Sequence, residues 1–111
     1  MQKIDILLDY IQNNYMNTIS VKNMAALVGL TENYLSKYFI KKMNVCVSIY
    51  INDLRIERAC YLLKTTNNSI EAIYMDSGYN VPSFFYSQFK KRKKCTPFVY
   101  RLNINACNMQ L

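Results

Sequence analysis

Apolar residues recur at helical spacing from the first residues of the chain. Over residues 3–15 they fall at i, i+3, i+4, i+7 and i+11, which predicts an amphipathic helix with one buried stripe. The stripe consists of Ile4, Leu7, Leu8, Ile11 and Tyr15. Ser20 is placed to cap a second helix over residues 21–28, which Gly29 ends. Thr31 is the next N-cap, and the third helix takes its apolar stripe from Tyr34, Leu35, Tyr38 and Phe39.

A longer helix is predicted in the middle of the chain. Apolar positions cover much of the circumference of residues 48–64, so this helix is expected to pack on more than one side. Because no Gly or Pro interrupts it, we expect a stiff connector. The helices predicted beyond it are residues 70–77 with Ser69 as N-cap, residues 82–93 opened by Pro82, and a short helix from Pro97 to Arg101 capped by Thr96.

The sequence repeats one pattern. The first copy comprises Met24–Gly29, Tyr34–Leu35 and Phe39–Lys42, and the second, about fifty positions later, comprises Ile73–Gly78, Phe84–Phe85 and Phe89–Arg92. Each copy predicts a short helix, a turn marked by glycine and a second helix that ends in cations. Two copies of such a unit are typical of helix-turn-helix DNA binding.

The composition favours helices over a sheet. The 111 residues are 51% hydrophobic, which is enough for a core, yet only two glycines and two prolines are available for turns. The fold class is therefore predicted to be all-α. We expect a first helix-turn-helix subdomain over residues 1–46, a connecting helix over residues 47–66, a second subdomain over residues 67–102 and a tail without clear period over residues 103–111.

Cysteine usage and hydropathy argue against several kinds of site. The cysteines are Cys46, Cys60, Cys95 and Cys107, without a C-x-x-C pair, and the chain has no histidine. No metal and no cofactor are therefore expected. The first residues lack the pattern of a secretory leader, so we expect reduced thiols in a cytoplasm. An apolar run of about 18 residues, the length needed to cross a membrane, does not occur.

The positive charge is concentrated towards the end of the chain. Of the formal net charge of +7, residues 1–84 contribute little, because they hold eight Lys/Arg against seven Asp/Glu. Residues 85–111 hold six cations and no anion. A localised basic patch is typical of polyanion binders, with a solvated helix face or an anionic-lipid anchor as the alternatives.

The second helix of the first copy carries side chains that suit base reading. Leu35 and Phe39 are expected in the core. The exposed face then comprises Glu32, Asn33, Ser36, Lys37 and Lys41. Asn33 can pair with adenine and Lys37 with guanine in the major groove. An ordinary polar surface helix is the alternative interpretation.

The equivalent helix of the second copy is predicted to read less and anchor more. Phe85 and Phe89 are expected in its core, and no Arg, Asn or Gln occupies the middle of its outward face. The base-reading candidates of both copies are Glu32, Asn33, Ser36, Lys37, Ser83, Tyr86 and Ser87. The phosphate-binding candidates are Thr31, Lys41, Lys42, Pro82, Lys90, Lys91, Arg92, Thr96 and Arg101.

Other functions have less support. Ten tyrosines and five phenylalanines would suit base stacking on single strands, but most of them lie at the spacing of a helical core. Neither G-x-x-x-x-G-K nor G-x-G-x-x-G occurs, and without histidine no acid/base constellation is evident. Catalysis is therefore not expected.

A set of spaced residues between Ile19 and Arg101 matches one known pattern. The most specific matches are Ser69-Ile70, Ile73, Gly78-Tyr79, Ser83-Phe84-Phe85, Phe89-Lys90-Lys91, Thr96-Pro97 and Arg101. Further matches in the predicted connecting helix are Tyr50, Leu54-Arg55, Ala59 and Leu62-Leu63. On these residues the chain resembles the DNA-binding domain of AraC/XylS-type bacterial transcription regulators, which includes such a connecting helix. The resemblance implies seven helices in two helix-turn-helix units that bind one face of double-stranded DNA, with the readers about 34 Å apart.

The resemblance also implies partners. Such regulators mostly activate transcription by contacting RNA polymerase, and they usually carry a separate effector-binding or receiver domain. No such domain is recognised in these 111 residues, so we expect a fragment of a longer regulator in preference to a stand-alone protein. The alternative function is a degenerate helix-turn-helix module that acts mainly through protein–protein contacts.

Four positions depart from the family pattern. Tyr74 stands where a small Ala is usual, and its ring is expected either to push two helices apart or to point outward. Asn44 and Lys94 replace glycines, and asparagine tolerates a left-handed conformation better than lysine. Ser87 stands where many members carry a reading Arg. We therefore expect the second copy to keep the fold but to be the weaker reader of sequence.

Overall fold

The computed structural model describes residues 2–110, and it describes side chains for residues 2–104. Within this range the chain forms seven α-helices and no strand, so the predicted all-α class is confirmed. The helices are α1 Lys3–Asn14, α2 Val21–Val28, α3 Glu32–Met43, α4 Val47–Thr65, α5 Ile70–Asp76, α6 Pro82–Lys93 and α7 Pro97–Gln110. The prediction that the last helix ends at Arg101 is wrong, because α7 continues to Gln110.

Short polar side chains start most of these helices, as predicted. Ser20, Thr31 and Ser69 each have an extended backbone and accept an N–H from the residue three positions on. The Thr96 hydroxyl accepts the Val99 N–H at 3.2 Å in the same way. Because each bond satisfies one of the otherwise unpaired amides of a first turn, these residues fix where the helices begin.

The chain divides into two compact units, Met1–Leu54 and Arg55–Leu111. The first unit has a core built from one stripe of each of its helices. The buried residues are Ile4, Leu7, Ile11, Met24, Ala25, Val28, Leu35, Phe39, Val47 and Ile51. In addition, the Ile4 N–H donates to the Tyr38 hydroxyl at 3.1 Å, which ties the start of α1 to α3.

The second unit has a separate core that is richer in aromatic residues. Its buried residues are Ile56, Ala59, Cys60, Leu62, Leu63, Ile73, Tyr74, Tyr79, Phe85 and Phe89. Tyr74 is only 8% exposed, and its ring centroid lies 5.3 Å from that of Phe85. The expectation that Tyr74 points outward is therefore wrong, since the ring belongs to the aromatic core.

Each unit repeats one aromatic contact. In the first unit the rings of Phe39 and Tyr50 meet edge to face with centroids 5.5 Å apart. In the second unit, fifty positions on, Phe89 and Tyr100 do the same at 5.4 Å. The equivalent turns also match, because Leu30 N–H donates to Ala25 O and Tyr79 N–H to Tyr74 O, both at 2.9 Å. The repeat in the sequence therefore corresponds to an aromatic contact and a turn hydrogen bond that occur in both units.

Candidate nucleic-acid interface

The turn between α2 and α3 sets the position of the first predicted reader. Gly29 ends α2 with φ +69°, a left-handed conformation that glycine adopts without strain. Two residues later the Thr31 hydroxyl accepts the Tyr34 N–H at 3.2 Å and opens α3. The chain therefore passes from α2 to α3 through a three-residue turn, as in a helix-turn-helix.

The predicted reading residues of α3 all face solvent. Leu35 and Phe39 are fully buried, whereas Glu32, Asn33, Ser36, Lys37 and Lys41 are exposed. Lys37 projects from the side opposite the two core residues, because it follows Leu35 by two positions and precedes Phe39 by two. The Ser36 hydroxyl donates to Glu32 O at 3.2 Å, so its oxygen is left to accept.

Tyr34 was assigned to the apolar stripe of α3, and that assignment is wrong. Its side chain is 58% exposed, beside Lys37 and Lys41 on the outward side of the helix. The helical positions carry the signal, because residues 34, 37 and 41 follow i, i+3, i+7 spacing. Tyr34 is therefore an additional member of the candidate interface.

On α6 the predicted outward residues are also exposed, but their chemistry differs. Phe85 and Phe89 are fully buried, whereas Pro82, Ser83, Tyr86, Ser87 and Lys90 are exposed. Phe84, at the position that corresponds to Tyr34, is 45% exposed. Pro82 has no N–H to donate, and its assignment as a phosphate-binding residue stays a prediction. It occupies the first turn of α6.

The cations at the end of α6 do not all point to solvent. Lys90 and Lys91 are exposed. Arg92 is half-buried and donates to the side-chain oxygen of Gln88 at 2.6 Å. Lys93 pairs with Glu57 of α4 at 2.8 Å. Lys94 donates to the Lys91 carbonyl at 3.0 Å, so the two charges best placed for phosphates are Lys90 and Lys91.

Arg101 has a structural role that the sequence did not suggest. Its guanidinium donates to the carbonyl oxygens of Leu63, Asn68 and Thr66, at 3.3, 2.9 and 3.2 Å. These carbonyls lie at and just beyond the end of α4, where helical carbonyls lack intrahelical partners. Its donors are directed into the fold, and its assignment as a phosphate-binding residue stays a prediction.

The other phosphate candidates lie at helix ends. Thr31 and Thr96 are exposed, and since both hydroxyls accept capping bonds, each keeps its own hydrogen for another acceptor. Lys41 and Lys42 are exposed in the last turn of α3. The Lys42 ammonium also lies 5.8 Å from the centre of the Tyr38 ring.

The helices α3 and α6 end in the same unusual backbone conformation. Asn44 after α3 has φ 60°, and Lys94 after α6 has φ 64°. Both N–H groups close the helix, on Ile40 O and Lys90 O respectively. Non-glycine residues are therefore left-handed at both positions where the family pattern has glycine.

One of the cysteines, Cys60, belongs to the core of the second unit. Cys46, Cys60 and Cys95 are free thiols, and the side chain of Cys107 lies outside the described residues. Burial raises the pKa of the Cys60 thiol. Burial and a hydrogen bond with Cys60 raise the pKa of Tyr100 to about 12. Both groups are therefore neutral near pH 7.

The described residues contain neither a metal-binding cluster nor a membrane-spanning helix. No group of three or more Cys, Asp or Glu residues is placed to hold a metal ion in this part of the chain. Among the same residues, none of the helices combines the length and apolarity that a membrane crossing requires.

The chain matches one family model and is similar in sequence to known transcription regulators. A family model described as a helix-turn-helix domain matches residues 24–103. An HTH-type transcriptional regulator from Pseudoalteromonas carrageenovora is 35% identical over 97 residues, which cover 87% of this chain and 57% of that protein. The lactose operon transcription activator of Staphylococcus xylosus is 29% identical over 98% of this chain and 39% of its own length. The chain therefore spans only part of these curated relatives.

Solved structures show the same architecture. A transcriptional regulator of Chromobacterium violaceum, described as containing an AraC-type DNA-binding domain, superimposes with a TM-score of 0.80 at 25% identity. The match covers 92% of this chain and 91% of that one. The DNA-binding domain of the global transcriptional factor AdpA, solved in complex with a target DNA, superimposes with a TM-score of 0.91 over the full length of both chains. Because the identity is only 16%, this second match shows a shared fold and nothing further.

Proposed function

The chain belongs to the AraC-type helix-turn-helix family of DNA-binding transcription regulators. We propose that its two helix-turn-helix copies have different roles in binding double-stranded DNA. The first copy reads bases through α3. The second copy mainly anchors the duplex through phosphates bound by α6.

The contrast between equivalent outward positions carries this proposal. Asn33 and Lys37 on α3 correspond to Ser83 and Ser87 on α6, and all four are exposed. Asparagine makes bidentate bonds to adenine, and lysine donates to the O6 and N7 acceptors of guanine. A serine hydroxyl contacts bases and phosphates without strong preference. The exposed lysines of α6, Lys90 and Lys91, supply charge without base discrimination.

We further propose that the regulator is an activator that contacts RNA polymerase. The support is the relative from Staphylococcus xylosus, whose name describes an operon activator. We also propose that the DNA-binding domain works with a separate effector-binding or receiver domain. Curated relatives in which the matched region is 57% or 39% of the length support that arrangement.

A binding assay on two variants tests the division of labour. Duplexes selected from a random pool would be compared with scrambled duplexes by fluorescence anisotropy across a range of salt. For Lys37→Gln we expect the preference for selected over scrambled duplexes to fall by about tenfold. For Lys90→Gln we expect both duplexes to bind more weakly by the same factor, with the salt slope smaller by about 0.9.

The two variants control for each other, since each removes one exposed lysine charge from a reader helix. If neither changed DNA affinity, the proposal would be wrong. If Lys90→Gln also altered the preference between duplexes, the second copy would be a reader and the proposed division would fail.

A rival function is docking onto a protein partner. The observation that favours it is an exposed apolar face on α7, where Phe98 and Leu102 are 63% and 50% exposed. A module of that kind would bind its partner with little dependence on salt and would fail to shift a duplex. The salt titration above therefore separates the two functions.

A further inference from the structure

A cleft lies beside the first turn of α3, at the edge of the predicted reading face. It has a volume of about 530 Å³ and is lined by Lys3, Gly29, Leu30, Thr31, Tyr34 and Tyr38. A second depression on the same side of α3 is lined by Tyr34, Tyr38 and three lysines, Lys37, Lys41 and Lys42. The cleft is therefore continuous with the candidate interface through the two tyrosines.

The walls of the cleft are fixed by contacts already described. The Tyr38 hydroxyl accepts the Ile4 N–H at 3.1 Å, which holds α1 against α3 at the floor of the cleft. The Thr31 hydroxyl accepts the Tyr34 N–H, so the hydrogen of that hydroxyl can be donated elsewhere. Lys3 is exposed, and Tyr34 stands 58% exposed at the rim.

The lining combines two chemistries. Two phenol rings and Leu30 offer apolar surface, while the Lys3 ammonium and the Thr31 hydroxyl offer hydrogen-bond donors. None of the residues that line the cleft or the adjoining depression is acidic, and four of them are lysines. A deoxyribose-phosphate has the complementary make-up, with an apolar sugar face beside an anion.

From this complementarity, and resting on the proposed function, we propose that the cleft binds one sugar–phosphate unit of the strand that borders the groove entered by α3. Lys3 and Thr31 hold the phosphate, and the rings of Tyr34 and Tyr38 pack against the deoxyribose. A contact of this kind fixes the register of α3 on the duplex without reading sequence. It assigns a role in DNA binding to α1, which otherwise contributes only to the core.

The first experiment is a salt titration of Lys3→Gln with Lys64→Gln as the matched control. Lys64 is exposed in the last turn of α4 and belongs to neither candidate surface, so its removal costs the same net charge without a contact. We expect the slope of log K against log salt to fall by about 0.9 for Lys3→Gln and to stay unchanged for Lys64→Gln. Equal slopes for the two variants would overturn the proposal.

The second experiment locates the phosphate. In a selected duplex, single phosphates along each strand would be replaced by neutral methylphosphonates, one at a time. We expect one position at which neutralisation weakens wild-type binding severalfold but leaves the affinity of Lys3→Gln unchanged. Lys64→Gln should respond at that position as the wild type does. If Lys3→Gln loses affinity at every position as the wild type does, the cleft holds no phosphate.

These outcomes are separable from failure of the proposed function. If Lys37→Gln lowers base preference while Lys3→Gln matches Lys64→Gln, only the sugar–phosphate contact is wrong, and a small aromatic or anionic ligand becomes the better occupant. If Lys37→Gln and Lys90→Gln are also without effect, the proposed division of labour fails with it.

Discussion

At the scale of single residues, Lys94 holds a conformation that its side chain disfavours. A left-handed backbone costs a residue with a Cβ about 1 kcal/mol relative to glycine, and asparagine tolerates it better than lysine. With φ 64° at Lys94 and 60° at Asn44, the chain offers a matched pair. We expect Lys94→Gly to raise the free energy of unfolding by about 1 kcal/mol and Asn44→Gly to raise it less, measured by urea denaturation.

The control is Lys94→Ala, which removes the same charge and the same bond to Lys91 O but keeps the Cβ. It should give no stabilisation. A gain as large as that of Lys94→Gly would mean that relief of charge repulsion, and not backbone strain, is responsible.

How well the role of a residue can be predicted from the sequence depends on how near its partners lie along the chain. The caps at Ser20, Thr31 and Ser69 depend on neighbours within one turn, so the sequence was sufficient for them. Tyr34 shares helical spacing both with the apolar stripe of Leu35 and Phe39 and with the outward Lys37 and Lys41, so spacing alone supports either assignment, and the structure shows the outward one. The carbonyl contacts of Arg101 could not be predicted, because a formal charge in a sequence does not reveal which carbonyls lie nearby.

At the scale of elements, α4 is tied to its neighbours by cations. Arg58 donates to the backbone and side chain of Asp76, Lys93 pairs with Glu57, and Arg101 binds carbonyls where α4 ends. The three contacts connect α4 with residues of α5, α6 and α7. Periodicity predicted the helices themselves, but not these links, because the partners are between 18 and 38 positions apart.

Arg101→Lys tests the last of these links. Lysine keeps the charge but lacks the planar fork that reaches three carbonyls, so we expect the free energy of unfolding to fall by roughly 2 kcal/mol. Thermal denaturation followed by circular dichroism measures the change. Lys64→Arg, a change of the same kind at an exposed site, should be neutral. An unchanged melting temperature for Arg101→Lys would show that the charge alone is sufficient.

At the scale of the whole molecule, the chain has two cores that share no residue. A cavity in one core should therefore loosen its own unit first. We expect Leu35→Ala to cost about 3 kcal/mol and to speed amide exchange mainly within residues 2–54. Phe89→Ala should act mainly within residues 55–110, and hydrogen exchange resolved by residue would measure both. Equal loss of protection in both units after either substitution would contradict independent cores.

The equal construction of α3 and α6 has a consequence for how operator preference changes. Both helices have 12 residues, start from an extended backbone and stop at a left-handed residue, and each inserts two residues into its core. The outward positions can therefore be exchanged without disturbing the inward ones. Under the proposed roles, substitutions on the outward face of α3 would change base preference and those on α6 would change affinity, while each helix keeps its two core residues and its left-handed end.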